Sequence, residues 1–203
     1  MSTKDFLKKI KDEDIEYVDV RFTDTRGKLQ HVTIVSDLVD EDFVEEGFMF
    51  DGSSIAGWKS IEASDMKLML DTDTAYVDPF YAEKTICVHC SVVEPDTGEA
   101  YERDPRGTAQ KAEAYLKASG IGDVAYMGPE AEFFLFDNVK FSNSINKVSS
   151  EVDASDASWN TDTDYEMGNM GHRPGLKGGY FPVNPTDEAQ DLRAEMLSTM
   201  KRL

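Results

Sequence analysis

The chain has little cysteine, little positive charge and no long apolar run. Its two cysteines, Cys87 and Cys90, are too few for a disulfide framework. A reduced, cytoplasmic protein is the expectation. Lysine and arginine number 21 against 40 aspartates and glutamates, for a formal net charge of -19. That balance argues against nucleic acid and anionic membrane surfaces as partners, because both need basic patches. The acid is spread along the chain rather than gathered in a tail, which reads as a solvated surface. No apolar run approaches the ~18–20 residues of a membrane span. Met1 to Ile10 is a charged amphipathic segment, not a secretory signal. No Gly-Lys-Ser/Thr phosphate loop is present, so a nucleotide site must be built another way.

What is there is a soluble composition: 40% hydrophobic and 30% charged over 203 residues. That length suits one domain with a good core or two small ones. Phe6, Leu7 and Ile10 recur at helical spacing. Val18, Val20 and Phe22 alternate with polar neighbours, as in a half-buried strand, and Leu29 to Val35 returns as its hairpin partner. Met66 to Leu70, Ala75 to Val77, Thr85 to Val93 and Ala100 to Arg103 are further strand candidates. This half is mixed α+β and mostly antiparallel. Asp104-Pro105-Arg106-Gly107 marks a boundary, giving domains 1–103 and 104–203. Thr108 to Ser119 follows as a helix with Gly120 as its C-cap. Asn143 to Gly179 reads as a long polar loop, of the kind that often carries function. Asp187 and Gln190 form a capping box for a last helix, whose stripe is Leu192, Met196, Leu197, Met200 and Leu203. That stripe runs to the last residue without a stop signal, so the expectation is a chain cut short.

Several motifs fail on context. Gly120-Ile121-Gly122-Asp123-Val124-Ala125 matches a loose dinucleotide fingerprint, but the helix precedes it and the strand follows. Cys87-Val88-His89-Cys90 puts its cysteines on opposite faces of a strand, and no second cluster completes a zinc site. Asp71-Thr72-Asp73 and Asp162-Thr163-Asp164 lack the turn glycine and closing glutamate of a calcium loop. His31 reads as a strand residue, and His172 alone is weak evidence for catalysis.

Two segments carry more. Asp51-Gly52-Ser53-Ser54-Ile55-Ala56-Gly57-Trp58 surrounds one carboxylate with small residues, as a plain turn or as a loop that approaches a ligand. Gly128-Pro129-Glu130-Ala131-Glu132-Phe133-Phe134-Leu135-Phe136 has strand composition. Its alternation puts Glu130 and Glu132 on one face, roughly 6.5–7 Å apart. Two like charges there repel by about 2–3 kcal/mol at an effective dielectric near 20. The pair is either a solvated strand end, a shared proton, or a site for a hard cation such as Mg²⁺ or Mn²⁺.

Together these segments, with Gly171-His172-Arg173-Pro174 and Lys177-Gly178-Gly179-Tyr180-Phe181-Pro182, resemble glutamine synthetase of the bacterial type I class. The resemblance covers the whole chain in the family's order. It implies a β-grasp domain up to Arg103, then the start of an α/β catalytic domain whose antiparallel strands form an open barrel. It implies ATP-dependent ligation of ammonia to glutamate through γ-glutamyl phosphate. Glu130 and Glu132 resemble ligands of two different Mg²⁺ or Mn²⁺ sites. Asp51 resembles the aspartate that binds ammonium and removes its proton. In the family it serves a neighbouring subunit of a homo-oligomer, a dodecamer by resemblance.

The family's other metal ligands, its glutamate-binding Asn-Gly segment and its phosphate-binding cations belong to later motifs without counterparts here. The isolated chain is therefore expected to be inactive. An alternative is a truncated, non-catalytic subunit that assembles with or regulates complete ones.

Overall fold

The computed structural model describes residues 1–157, 159, 173–175 and 177–203. Two compact units divide the chain: Met1–Met127 with Leu203, and Gly128–Arg202.

The first unit opens with α1 (Thr3–Asp12), whose start is fixed by Ser2 accepting the Asp5 backbone N–H. Phe6 and Ile10 lie one turn apart and are both buried, so the apolar stripe of α1 faces the sheet. The strands are β1 (Tyr17–Thr23), β2 (Leu29–Val35), β3 (Phe48–Asp51), β4 (Asp65–Asp78) and β5 (Thr85–Val93). They form a sheet of order β2-β1-β5-β4-β3. β1 and β5 run parallel, while the other neighbours are antiparallel. A short helix α2 (Glu41–Glu46) leads into β3, capped by Asp40 through the Phe43 backbone N–H.

Alternation on the strands makes the core. Val18, Val20 and Phe22 of β1 meet Met66 and Leu68 of β4 and Ile86, Val88, Cys90 and Val92 of β5. The residues between them point the other way and build a polar layer. Asp19 is fully buried there and accepts from Arg21 Nε at 2.7 Å, His31 Nδ1 at 2.6 Å and Thr33 Oγ1 at 2.6 Å. Arg21 continues to Tyr76 Oη at 2.7 Å and Asp78 at 3.0 Å. Cys87 lies on this face and Cys90 on the core face, as strand alternation requires. Both are free thiols, and burial pushes each up to about 12. At neutral pH they are protonated and unreactive.

Two expected strands, 66–70 and 75–77, are one strand, with the register against β5 shifting between Asp71 and Tyr76. The expected strand at 100–103 contributes only a bridge between Val93 and Ala100. Helix α3 (Pro105–Ser119) begins at Asp104, whose carboxylate accepts the Arg106 and Val92 backbone N–H groups. It ends at Gly120, which is left-handed at φ 69°.

The second unit contains a hairpin, β6 (Asn138–Ser144) and β7 (Lys147–Asp153), and helix α4 (Gln190–Met200). The hairpin corrects the first part of the expected long loop. Its signal was the alternation of Val139 and Phe141, answered by Val148 and Val152 across a Ser-Ile-Asn-Lys turn. The capping box is also corrected. The N-cap of α4 is Ala189, without a side-chain cap. Asp187 instead accepts the Ala189 N–H and pairs with Arg193.

Candidate functional site

Asp51 ends β3, paired in register with Asp65 of β4. The chain then turns through a short 3-10 helix at Gly52–Ser54. Asp51 Oδ1 accepts the Ser53 N–H at 2.8 Å and the Ser53 hydroxyl at 2.7 Å, while Oδ2 accepts the Ser54 hydroxyl at 3.3 Å. These bonds, led by the Ser53 hydroxyl, hold the exposed carboxyl below its ordinary value. It is therefore an anion at neutral pH with a fixed direction. The sequence motif Asp-x-Ser-Ser supplies this arrangement locally, as an Asx-type turn.

The glycines of the loop have reasons other than a ligand. A Cβ on Gly52 would overlap the Met66 sulfur, and the Gly52 N–H donates to Ser64 O at 2.7 Å. Gly52 is small because β4 passes close by. Gly57 turns at φ 82° with open space around it, so its backbone conformation is what selects glycine there. Trp58 is not presented to solvent but is 6% exposed. Its ring packs on Phe22 at 5.5 Å, Phe50 at 6.3 Å and Tyr101 at 5.3 Å between centroids. It anchors the loop to the core.

Glu130 and Glu132 lie in the second unit, in the segment 128–136. That segment belongs to no strand among the described residues, which corrects the strand expected there. Strand composition makes a chain extended, but a strand also needs a ladder partner, and the short-range pattern does not specify one. The i, i+2 alternation persists locally: the Phe134 and Phe136 rings stack at 5.9 Å with an interplanar angle of 11°. Both glutamates are exposed. Among the described residues no group of three or more His, Cys, Asp or Glu is placed to hold a metal ion. Glu130 and Glu132 fit a hard divalent cation in donor type, as two oxygen anions, but do not complete a coordination shell.

Of the remaining motifs, Tyr180 and Phe181 are exposed and meet edge to face at 4.9 Å, beside Lys177 at φ 57°. His31 faces Asp19, and His89 is partly buried in the sheet with its ring pushed down by burial and then by Arg106 and Arg21. His172 and the Asp162-Thr163-Asp164 segment lie outside the described residues.

The fold and these carboxylates define an α+β protein whose first unit is a mixed sheet with a helix laid on one face. Comparison with known proteins makes this specific. The glutamine synthetase β-grasp domain matches residues 14–95, and the glutamine synthetase catalytic domain matches residues 102–203. The chain belongs to the glutamine synthetase family.

It is 75% identical to the glutamine synthetase of Cereibacter sphaeroides over 199 residues, which is 98% of this chain and 43% of that protein. It is 71% identical to the Rhodobacter capsulatus enzyme, over 100% of this chain and 46% of that one. The chain thus spans less than half the length of these curated relatives. Among solved structures, Plasmodium falciparum glutamine synthetase shares the fold, with a TM-score of 0.82 at 21% identity, over 99% of this chain and 40% of that one. The expected order, a β-grasp domain followed by the start of a catalytic domain, is thereby established. Among the described residues no helix is long and apolar enough to cross a membrane.

Proposed function

We propose that the protein carrying this chain joins ammonia to glutamate at the expense of ATP, in the cytoplasm. The observation that carries this reading is the 75% identity to a glutamine synthetase across 98% of the chain. In the proposed reaction the γ-phosphoryl group of ATP moves to the side-chain carboxylate of glutamate, and ADP leaves. Ammonia nitrogen then attacks the acyl phosphate carbon, inorganic phosphate leaves, and the nitrogen gives up its proton to form the amide of glutamine. The domain line is proposed at 103/104, after the first family match at 14–95 and two residues inside the second at 102–203.

Asp51 is the residue for the nitrogen. A low-pKa carboxylate is a strong cation holder and a weak base, so the serine hydrogen bonds favour binding ammonium over deprotonating it early. Ammonium has no lone pair, so Asp51 takes one proton before the attack, and the ammonia so formed loses a second proton as its nitrogen becomes acidic on attack. Glu130 and Glu132 are the residues for divalent Mg²⁺ or Mn²⁺, which when bound neutralises phosphate charge and aligns the transferring group. The remaining ligands and the cationic phosphate donors are assigned to the part of such enzymes that follows these residues. Asp51 and the two glutamates lie in different compact units. By the family resemblance, Asp51 is assigned to the site of a neighbouring subunit in a homo-oligomer, a dodecamer.

The test is a hybrid enzyme in which this chain replaces the matching 199 residues of the Cereibacter sphaeroides protein. Asp51→Asn should raise the KM for ammonium and lower kcat, leaving the KM for ATP in place. Glu130→Gln and Glu132→Gln should each raise the metal concentration needed for half-maximal rate. An Asp51→Asn hybrid with unchanged ammonium kinetics overturns the role of Asp51. Unchanged metal dependence in both glutamine variants overturns theirs.

A further inference from the structure

The loop that carries Asp51 is tied down at two ends. At the first, the pairing of β3 with β4 and the Gly52 N–H to Ser64 O bond fix the backbone next to the carboxylate. At the second, the loop closes on residues far along the chain. Trp58 packs edge to face on Tyr101, with ring centroids 5.3 Å apart. Lys59 lies 5.4 Å over the same ring and reaches both carboxylate oxygens of Glu94 at 2.7 Å. Arg103 donates to the Gly57 carbonyl.

Tyr101 is the common element. It is 4% exposed, and its backbone N–H donates to Val92 O at 2.9 Å, which fastens it to β5. Its hydroxyl makes no hydrogen bond among the described residues, so the contact surface of its ring is what it offers the loop. Burial pushes that hydroxyl's pKa up, so at neutral pH the ring carries no charge that would compete with Glu94 for Lys59.

We propose that Tyr101 is a positioning residue for Asp51, acting by holding Trp58 and Lys59 and through them the Asp51–Gly57 loop. The step from ring to carboxylate is mechanical. Between Asp51 and Trp58 the chain turns through Gly52–Ser54 and the left-handed Gly57, and Trp58 N donates to Ile55 O at 3.1 Å. A loop this short, pinned at both ends, has few ways to redirect Asp51. Released at the Trp58 end, it pivots at Gly57 and the Ser53 and Ser54 bonds to Asp51 lose their geometry. Tyr101 touches no reacting atom in this scheme, and the inference rests on the reading of Asp51 given above.

The experiment uses the same hybrid enzyme with Tyr101→Leu, Tyr101→Phe, Lys59→Gln and Asp51→Asn. Misplacing a reacting group by about 1 Å can cost on the order of 100-fold in rate. Tyr101→Leu should accordingly raise the KM for ammonium roughly 10-fold or more, with the KM for ATP unchanged. Tyr101→Phe, which keeps the ring, should restore the parent value. Lys59→Gln keeps the buried aromatic cluster whole, so it serves if Tyr101→Leu does not fold, and should shift ammonium kinetics the same way by less. A readout independent of turnover is the Asp51 carboxyl titration followed by NMR. In Tyr101→Leu, or in Lys59→Gln if the former fails to fold, it should move up toward the ordinary aspartate value.

Equal changes in the two KM values, or none, overturn the positioning role, as does a Tyr101→Phe variant no better than Tyr101→Leu. If Asp51→Asn alters ammonium kinetics while the Tyr101 and Lys59 variants do not, only the positioning role is lost. If Asp51→Asn has no effect, the role of Asp51 and the positioning of it fall together.

Discussion

Asp51 and the Glu130–Glu132 pair are carboxylates of the same proposed site, held in opposite ways. Asp51 sits on a loop whose hydroxyls, backbone N–H groups and aromatic anchor all come from the first unit. Its direction is complete within that unit. Glu130 and Glu132 stand on a segment outside any strand, without a ladder partner among the described residues. The same contrast runs through the hydrophobic residues. Phe6 is 0% exposed under the sheet, while Phe134, four residues after Glu130, is 85% exposed. A carboxylate that must hold its direction before its partners arrive needs local hydrogen bonds. A pair that gathers a cation can be completed by ligands supplied from other segments.

The sharpest way to break this comparison is to truncate one aromatic in each region. Phe6→Ala should destabilise the first unit by about 3–5 kcal/mol. Phe134→Ala should cost less than about 1 kcal/mol, the scale of one exposed ring contact. Urea unfolding followed by far-ultraviolet circular dichroism reads both units, and Trp58 emission, with Trp159 replaced by phenylalanine, reads the first selectively. Comparable losses from the two truncations would show that the 128–136 segment is packed as firmly as the core.

Next in size is Asp104→Ala. Asp104 is fully buried, caps α3 and satisfies the Val92 N–H at 3.1 Å. Removing a cap costs about 0.5–2 kcal/mol, and stranding a buried N–H adds about 1–3 kcal/mol. A loss below about 1 kcal/mol in the same urea assay would mean that water replaces the carboxylate at both donors.

A smaller contrast comes from glycines. Gly52→Ala forces a Cβ against the buried Met66 side chain and should cost about 1–3 kcal/mol. Gly128→Ala has no atom within 4 Å of the new Cβ and should stay within about 0.5 kcal/mol. If Gly52→Ala is neutral, Met66 has room to move and the loop is less constrained than its contacts indicate.

These residues also show what sequence could reveal. Val18, Val20 and Phe22 declare β1 by alternation, and Thr85–Val93 is read to its bounds because its apolar run is flanked by polar turns. Asp51 is visible because Asp-Gly-Ser-Ser is a local turn chemistry. Tyr101 is not, because its contact with Trp58 joins segments far apart in sequence. The role of Trp58 as an anchor of that loop is hidden for the same reason, because its neighbours Phe22 and Phe50 come from other strands. The spacing of Glu130 and Glu132 is legible, but whether their segment pairs into a strand is not, since alternation is a property of one segment and a ladder is a property of two. Asp19 shows the same limit. Alternation assigns it to the polar face, but only the register, which sets Thr33 and Cys87 beside it, tells that this face is buried there.

Asp19 also gives the finest test of the contrast, through pH. Burial alone would raise its carboxyl, but hydrogen bonds from Thr33, Arg21 and His31 outweigh that and leave it below its ordinary value. A carboxyl lower in the folded than in the unfolded state stabilises the fold fully above its unfolded pKa. That contribution is lost as pH falls from there through the folded value, because the unfolded chain then binds the proton more readily. The urea midpoint of the first unit should therefore hold from about pH 6 down to about pH 4 with respect to this group, then fall. Asp19→Asn should lower the midpoint at neutral pH, since Arg21 loses an anionic partner in a buried layer, and should flatten the fall below about pH 4. Glu130→Gln with Glu132→Gln should leave the acid limb of the first unit unchanged, because those carboxylates are exposed and belong to the second unit. An Asp19→Asn profile parallel to that of the parent chain would assign the acid sensitivity to other carboxylates of the sheet, and the buried polar layer would lose its claim to hold Asp19 ionised.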